Sequence, residues 1–160
     1  SGVGKTLASL HLKNKLGANV ICSYTTRPPR ETEVEGREHH FISLFPAQNE
    51  ILADVRIGRH RYYALTCQVW GDLTVYVIDE RGLDYIRQHH DGEFDIYTVL
   101  IVRDKEKRLV AGVPEERMKR DVKRKKRLKS DVFDYVVENN GMKAQFFEKI
   151  ENIYNEIKNK

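Results

Sequence analysis

The sequence predicts an α/β protein built on a parallel sheet, and three observations carry that prediction. The runs Leu73–Asp79 (LTVYVID) and Ile96–Val102 (IYTVLIV) are largely apolar over the length of a strand, the pattern of parallel strands buried on both faces. Helical segments alternate with these runs, as parallel strand connections require. The last such segment, Lys143–Lys158, sets Phe146, Phe147, Ile150, Ile153, Tyr154 and Ile157 along one face of an amphipathic helix. The bulk composition agrees, since 160 residues with 40% apolar and 32% charged content suit one soluble domain. No apolar run approaches the roughly 18 residues of a membrane span, and no signal peptide precedes the first helix.

The elements follow in order. SGVGKT leads into a helical pattern through Leu7, Leu10, Leu12 and Leu16, with Gly17 as its stop. Ala18–Tyr24 (ANVICSY) reads as a short buried strand. The polar stretch Thr25–His40 holds two adjacent prolines and reads as a loop of functional character. Phe41–Leu44 and Ile51–Ile57 are short strands, and Gly58-Arg59 turns the second into Arg61–Leu65 as a hairpin. Gly82–His90 is a helix after the first apolar run. Lys105–Lys129 is mostly helical, broken near Gly112-Val113-Pro114, and Phe133–Asn139 is the last strand.

Gly4-Lys5-Thr6 matches the end of a phosphate-binding P-loop, G-x-x-x-x-G-K-[ST], and Ser1-Gly2-Val3 supply three of the four middle positions. The first glycine of that pattern is expected two residues before Ser1, so the loop reads as cut inside its N-terminal half. Such a loop needs glycines so that successive N–H groups can turn inward around phosphate oxygens. The helix that follows directs its positive end at the same anion. Ser1, Gly2, Val3, Gly4, Lys5 and Thr6 are therefore the candidate triphosphate-binding set. Lys5 reaches the β- and γ-phosphates and the Thr6 hydroxyl binds Mg²⁺.

A second signal is Ser23-Tyr24-Thr25-Thr26-Arg27-Pro28-Pro29-Arg30, followed by Glu33-Val34-Glu35-Gly36-Arg37. Two arginines on a proline-stiffened loop can hold a phosphate bidentately and offset the repulsion between two nucleotides' phosphates. The segment resembles the monophosphate-binding loop of guanylate kinases, S-x-T-T-R-x-P-R-x-x-E-x-x-G. Arg61-Tyr62-Tyr63 is similar to that family's N-Y-Y-G, Ile78-Asp79-Glu80-Arg81-Gly82 to its I-D-x-Q-G, and Asp134–Asn139 to its closing strand and loop. The matches run in order along essentially the whole chain.

The resemblance implies a P-loop NTPase-type parallel sheet flanked by helices, with a small β-containing monophosphate-binding lobe and a short helical lid. It places the core at 1–24, 72–103 and 130–160, the lobe at about 25–71 and the lid at about 104–129. It implies a cytoplasmic kinase that transfers phosphoryl from ATP, with Mg²⁺, to GMP or dGMP. Arg27, Arg30, Tyr63 and the position of His39 then cradle the acceptor phosphate, with Tyr62 in the core. Ser23, Asp54 and Asp79 fall where the family contacts guanine; a carboxylate suits guanine because it accepts from both N1–H and the 2-amino group. Arg108, Arg117 and Arg120 resemble the lid arginines that neutralise the transferred phosphoryl group, and Asn139 falls on the adenine side.

The sequence departs from the family at several points. His39 stands where Tyr is usual, which makes the phosphate contact pH-dependent. Val77 stands where a first Asp is frequent, and Ala64-Leu65 replaces Gly followed by a hydroxyl residue. These changes keep a kinase for another small phosphorylated acceptor in view. A non-catalytic guanylate kinase-like binding module is a further alternative, but such modules have typically lost the loop lysine and Lys5 is present. The net charge of +4 is concentrated in residues 117–129, with nine Lys or Arg and one Asp. That run reads as a solvated helix, because no aromatics interleave to stack bases, which argues against nucleic acid. Membrane partners are not expected, and no oligomeric state follows from the sequence. Cys22 and Cys67 read as reduced thiols of an intracellular protein. The paired histidines lack the i, i+4 spacing of a helical metal site, so no structural metal is expected.

Overall fold

The computed structural model describes residues 2–31, 33–42, 46–116, 118–119 and 133–160. The chain divides into two compact units, one made of residues 1–12 and 96–160 and the other of residues 13–95. Residues 72–95, expected with the core, fall in this division with the 25–71 lobe, because the helix that follows residue 79 packs on the lobe's own hairpin.

In the first unit, helix α1 (Lys5–Leu16) begins directly after the glycine loop and carries Ala8, Ser9 and Leu12 inward. Strands β7 (Val99–Val102) and β8 (Tyr135–Glu138) pair in parallel, Val99 opposite Tyr135. Helix α3 (Lys105–Val110) follows β7, and helix α4 (Lys143–Lys158) closes the chain. The apolar face expected on α4 is present: Phe146, Ile150 and Tyr154, four residues apart, are all buried. Phe147, beside that stripe, stacks on His11 of α1 with ring centroids 3.7 Å apart, and His11 Nε2 lies 2.6 Å from Glu151 Oε1. The prediction of a strand buried on both faces is not met at β7, where Val99 is 37% exposed. Among the described residues β7 pairs with β8 alone.

In the second unit the segment Ala18–Tyr24 divides between two sheets and does not form one strand. Strand β1 (Asn19–Val20) pairs in parallel with β6 (Thr74–Val75). Strand β2 (Tyr24–Thr25) joins a four-stranded sheet of order β3-β2-β5-β4, with β3 (His40–Phe41), β4 (Ile51–Ile57) and β5 (His60–Leu65). The backbone between them is satisfied by changing partners. Ile21 N–H donates to Val75 O at 2.9 Å, Gln68 Nε2 donates to Cys22 O at 2.7 Å, and His40 N–H donates to Ser23 O at 2.9 Å.

The β4–β5 hairpin holds the core of this unit, with Ile51, Leu52, Ala53, Val55, Tyr63 and Ala64 buried. Helix α2 (Glu80–His89) lies on β4, and its first turn has no room for a side chain at Gly82. A Cβ there would stand 2.6 Å from Ile78 Cδ1 and 3.2 Å from Val55 Cγ2. Arg81 donates to Arg56 O at 3.1 Å, and His90 Nε2 lies 3.0 Å from Ile51 O, so both ends of the helix are fixed to the strand. No helix among the described residues is long and apolar enough to cross a membrane.

Phe146 is 2% exposed at the centre of the first unit's core. Phe146→Ala is expected to destabilise the protein by about 3–5 kcal/mol, through lost transfer energy and the cavity left behind. Urea unfolding checks this; a loss below about 1 kcal/mol would mean that α4 is not the core element described here.

Candidate functional site

The glycine loop takes its shape from positive φ at Gly2 (69°) and Gly4 (105°). A Cβ at Gly2 would stand 2.1 Å from Val113 Cγ2, and one at Gly4 would stand 2.5 Å from Asn139 Nδ2. Sterics and backbone conformation therefore both demand glycine. Between them Val3 is 7% exposed, and its carbonyl accepts from Asn139 Nδ2 at 2.9 Å. The Arg103 guanidinium donates to Gly2 O at 3.4 Å. Ala8 N–H donates to Gly4 O at 2.9 Å, so the helix starts at the loop's last glycine. Lys5 and Thr6 lie exposed in the first turn, where the helix presents its positive end.

Two further candidates of this unit are buried. Asn139, expected on the adenine side, is 8% exposed and spends its amide on the loop's Val3 carbonyl. Arg108, expected to reach a transferred phosphoryl group, is 6% exposed and lines a small pocket with Lys105, Glu115, Met118 and Lys119. Its guanidinium is packed within the protein and not presented to solvent. Ser1, Arg117 and Arg120 lie outside the described residues.

In the other unit the acceptor loop is built on Thr25, which is fully buried. Its hydroxyl donates to Arg61 O at 2.9 Å and accepts from Arg27 N–H at 3.2 Å. The next threonine completes the splice, since Arg61 N–H donates to Thr26 Oγ1 at 2.9 Å. Arg27 then runs back over the sheet. Its Nε donates to Tyr62 Oη at 3.0 Å, one terminal nitrogen to Pro28 O at 2.6 Å and the other to Glu33 at 2.9 Å. Arg30 donates to the same carboxylate twice, from its backbone N–H at 2.9 Å and from its guanidinium at 3.3 Å. Burial would raise the Glu33 carboxyl, but the Arg30 N–H and the Arg27 and Arg30 charges outweigh it and hold it below the usual range.

Beside this clamp is a pocket of about 130 Å³, walled by Val55, Ile78 and Tyr76 and bearing the polar groups of Ser23, His39, Tyr62 and Asp79. His39 Nδ1 lies 2.8 Å from Ser23 Oγ, and its ring meets Tyr62 edge-on at 5.5 Å. Burial pushes His39 below its ordinary value, and the nearby Arg27 charge adds to this. Burial drives the Tyr76 phenol up. Asp79 also caps α2, accepting from Gly82 N–H at 3.0 Å, and its second oxygen meets Arg81 at 3.2 Å.

The structure thus brings Ser23, Arg27, Arg30, His39 and Asp79 into one neighbourhood, but not Asp54 or Tyr63. Asp54 is paired through both oxygens with the Arg61 guanidinium and does not line the pocket. Tyr63 is 1% exposed, stacked on Tyr24 at 5.2 Å, while Tyr62 faces the pocket. Successive residues of a strand point to opposite faces, so only one of the two tyrosines can reach the pocket, and the core takes the other. Strand alternation was the signal available in the sequence, though it does not say which face is inward. Glu33 was visible in the motif but was given no role.

A loop fixed by left-handed glycines and running directly into a helix that bears Lys and Thr, in an α/β fold with parallel strand pairs, defines the P-loop class. No family model matches the chain. The guanylate kinase of Blochmanniella floridana is 32% identical over 122 residues, covering 68% of this chain and 57% of that one. The guanylate kinase of Aromatoleum aromaticum is 36% identical over 101 residues, covering 55% and 48%. That of Neisseria gonorrhoeae is 54% identical over 44 residues, covering 27% and 22%. The matches therefore span between 22% and 57% of these relatives' length. The crystal structure of guanylate kinase from Anaplasma phagocytophilum shares the fold, with a TM-score of 0.67 at 20% identity over 95% of this chain and 83% of that one. The chain belongs to the guanylate kinase family.

Glu33 is 10% exposed and Arg27 11%, so removing the carboxylate leaves a largely buried guanidinium short of its main partner. Glu33→Gln is expected to cost roughly 1–3 kcal/mol at pH 7. The folded-state pKa is depressed, so this contribution is present above the unfolded carboxyl value of 4.5 and is lost as pH falls through the folded value. Urea denaturation of both proteins at pH 7 and at about pH 3 tests this: the gap between them should shrink at the lower pH. An equal gap at both would remove the charge from the explanation.

Proposed function

We propose that the protein transfers the γ-phosphoryl group of ATP to GMP or dGMP, giving ADP and GDP or dGDP. The observation that carries this reading is the clamp of Arg27 and Arg30 standing beside a pocket whose polar groups are Ser23, His39, Tyr62 and Asp79. A clamp of two guanidiniums suits a phosphate dianion, and an apolar pocket with a serine and a carboxylate suits a planar base with adjacent N–H donors. Family membership and the Gly2-Val3-Gly4-Lys5-Thr6 loop supply the other half of the reading.

In this proposal Arg27, Arg30, His39 and Tyr62 hold the acceptor phosphate, and Asp79 and Ser23 read the base. Lys5 carries a fixed positive charge toward the β- and γ-phosphates. As the bond from the γ-phosphorus to the β–γ bridging oxygen breaks, an acceptor phosphate oxygen bonds to the same phosphorus, with no covalent enzyme intermediate. Arg117 and Arg120 are assigned to the charge that develops on the transferred group. A Mg²⁺ ion held with a triphosphate needs only one or two protein oxygens, and the exposed Thr6 hydroxyl in the first turn of α1 fits that need. When bound, the ion supplies charge neutralisation between the β- and γ-oxygens.

Lys5→Ala should nearly abolish transfer and leave the fold intact, because the charge it removes is worth on the order of 3 kcal/mol in the transition state. A coupled assay of ADP formation, with circular dichroism as the fold control, decides it. Turnover like that of the unmodified protein would sink the mechanism.

Arg27→Ala should raise KM for GMP by roughly ten- to a hundredfold and leave KM for ATP within about twofold, since the lost contact is charge-assisted and serves one substrate only. Equal effects on the two substrates would place Arg27 elsewhere in the reaction. Absence of turnover with GMP, AMP, CMP and UMP by the folded protein would favour the binding-module alternative.

A further inference from the structure

We infer that His39 sets the hydrogen-bond polarity of Ser23, so that the preference between a keto and an amino base depends on pH. The inference rests on reading the Ser23–Asp79 pocket as the base site. It starts from one contact, His39 Nδ1 to Ser23 Oγ at 2.8 Å, in a pocket that both residues line. A serine hydroxyl has one proton to give and two lone pairs to receive. An imidazolium carries a proton on both ring nitrogens, so its Nδ1–H must donate to Ser23 Oγ. The Ser23 proton is then left to point at a ligand, and the ligand atom it meets must be an acceptor.

A neutral imidazole admits the opposite arrangement. With its proton on Nε2, His39 receives the serine proton at Nδ1, and the serine oxygen faces the ligand as an acceptor. Guanine offers a carbonyl oxygen at its six-position, whereas adenine offers an amino group there. Protonating His39 therefore favours the keto base, and the neutral ring relaxes that choice. An ionised Asp79 carboxylate can only accept, so it offers no second polarity to exchange. The pH-dependent part of base choice is thus assigned to the Ser23–His39 pair.

The surroundings of His39 set where this exchange falls. Burial disfavours the imidazolium most, the Arg27 and Arg30 charges add to that, and the Glu33 charge and a hydrogen bond to the Ser23 backbone favour it. Tyr62 of β5 meets its ring edge-on, Phe41 of β3 meets it from the other strand, and Tyr76 and Asp79 share its pocket. A bound phosphate dianion adds a charge that favours protonation and lifts the exchange toward neutrality.

The test is the ratio of dissociation constants for GMP and AMP, measured calorimetrically without ATP from about pH 5.5 to about pH 8. Both nucleotides carry the same phosphate, so its own ionisation and its attraction to His39 cancel in the ratio. The preference for GMP should fall by about tenfold across that range, the scale of one hydrogen bond gained or left unmade. His39→Gln keeps a partner for Ser23 but cannot titrate, and its ratio should be flat. Ser23→Ala removes the group being switched and should also be flat, which keeps the test decisive if either variant folds poorly. GMP binding with a flat ratio in the unmodified protein overturns this inference and leaves the pocket's assignment standing. A slope that persists in His39→Gln, or one of opposite sign, likewise overturns it. Failure of the folded protein to bind either nucleotide overturns both readings.

Discussion

Arg27 and Arg30 are like charges three residues apart on a loop whose two prolines restrict the backbone, and the Glu33 carboxylate receives both of them. Much of the loop that follows β2 is arranged around that ion triad. Thr25 and Thr26 splice the start of the loop to β5, so that Arg27 leaves the sheet at a fixed point. Tyr62 and the Pro28 carbonyl take the remaining sides of the Arg27 guanidinium. A planar fork held on three sides keeps little rotational freedom. The carboxylate also offsets mutual repulsion between the two guanidiniums, which would otherwise spread the loop.

The glycine loop obeys a different constraint. Its shape is dictated by space: Val113 and Asn139 approach too closely for any side chain at Gly2 or Gly4. Asn139 has a second role there, because its amide holds the Val3 carbonyl. His39 places an imidazole in the pocket that Ser23 and Asp79 also line.

The elements most legible in the sequence were those with strong local signals. The hairpin of Ile51–Ile57 and its return strand, the helix stop at Gly17 and the helix Lys143–Lys158 all stand where periodicity and turn residues put them. Ala18–Tyr24 was less legible because an apolar run does not say which neighbours its backbone will pair with, and this one changes sheets at Ile21–Ser23. The apolar character of Ile96–Val102 marked a strand but not its burial, since burial depends on what covers the sheet.

The candidate site divides in the same way. The sequence by itself determined the chemistry: a Gly-Lys-Thr helix start, two arginines beside prolines, a histidine and an aspartate, each in a motif with a local physical purpose. Only the tertiary structure decided which of these groups face a common space. It turned Tyr62 toward the pocket and Tyr63 into the core, committed Asp54 to Arg61, and set Asn139 beneath the glycine loop. It also gave Glu33 its place between two arginines and joined His39 to Ser23, sixteen residues apart in the chain. Local sequence fixes what a side chain can donate or accept. Which partner it meets depends on packing among strands that are distant in sequence, and a motif carries no record of that packing.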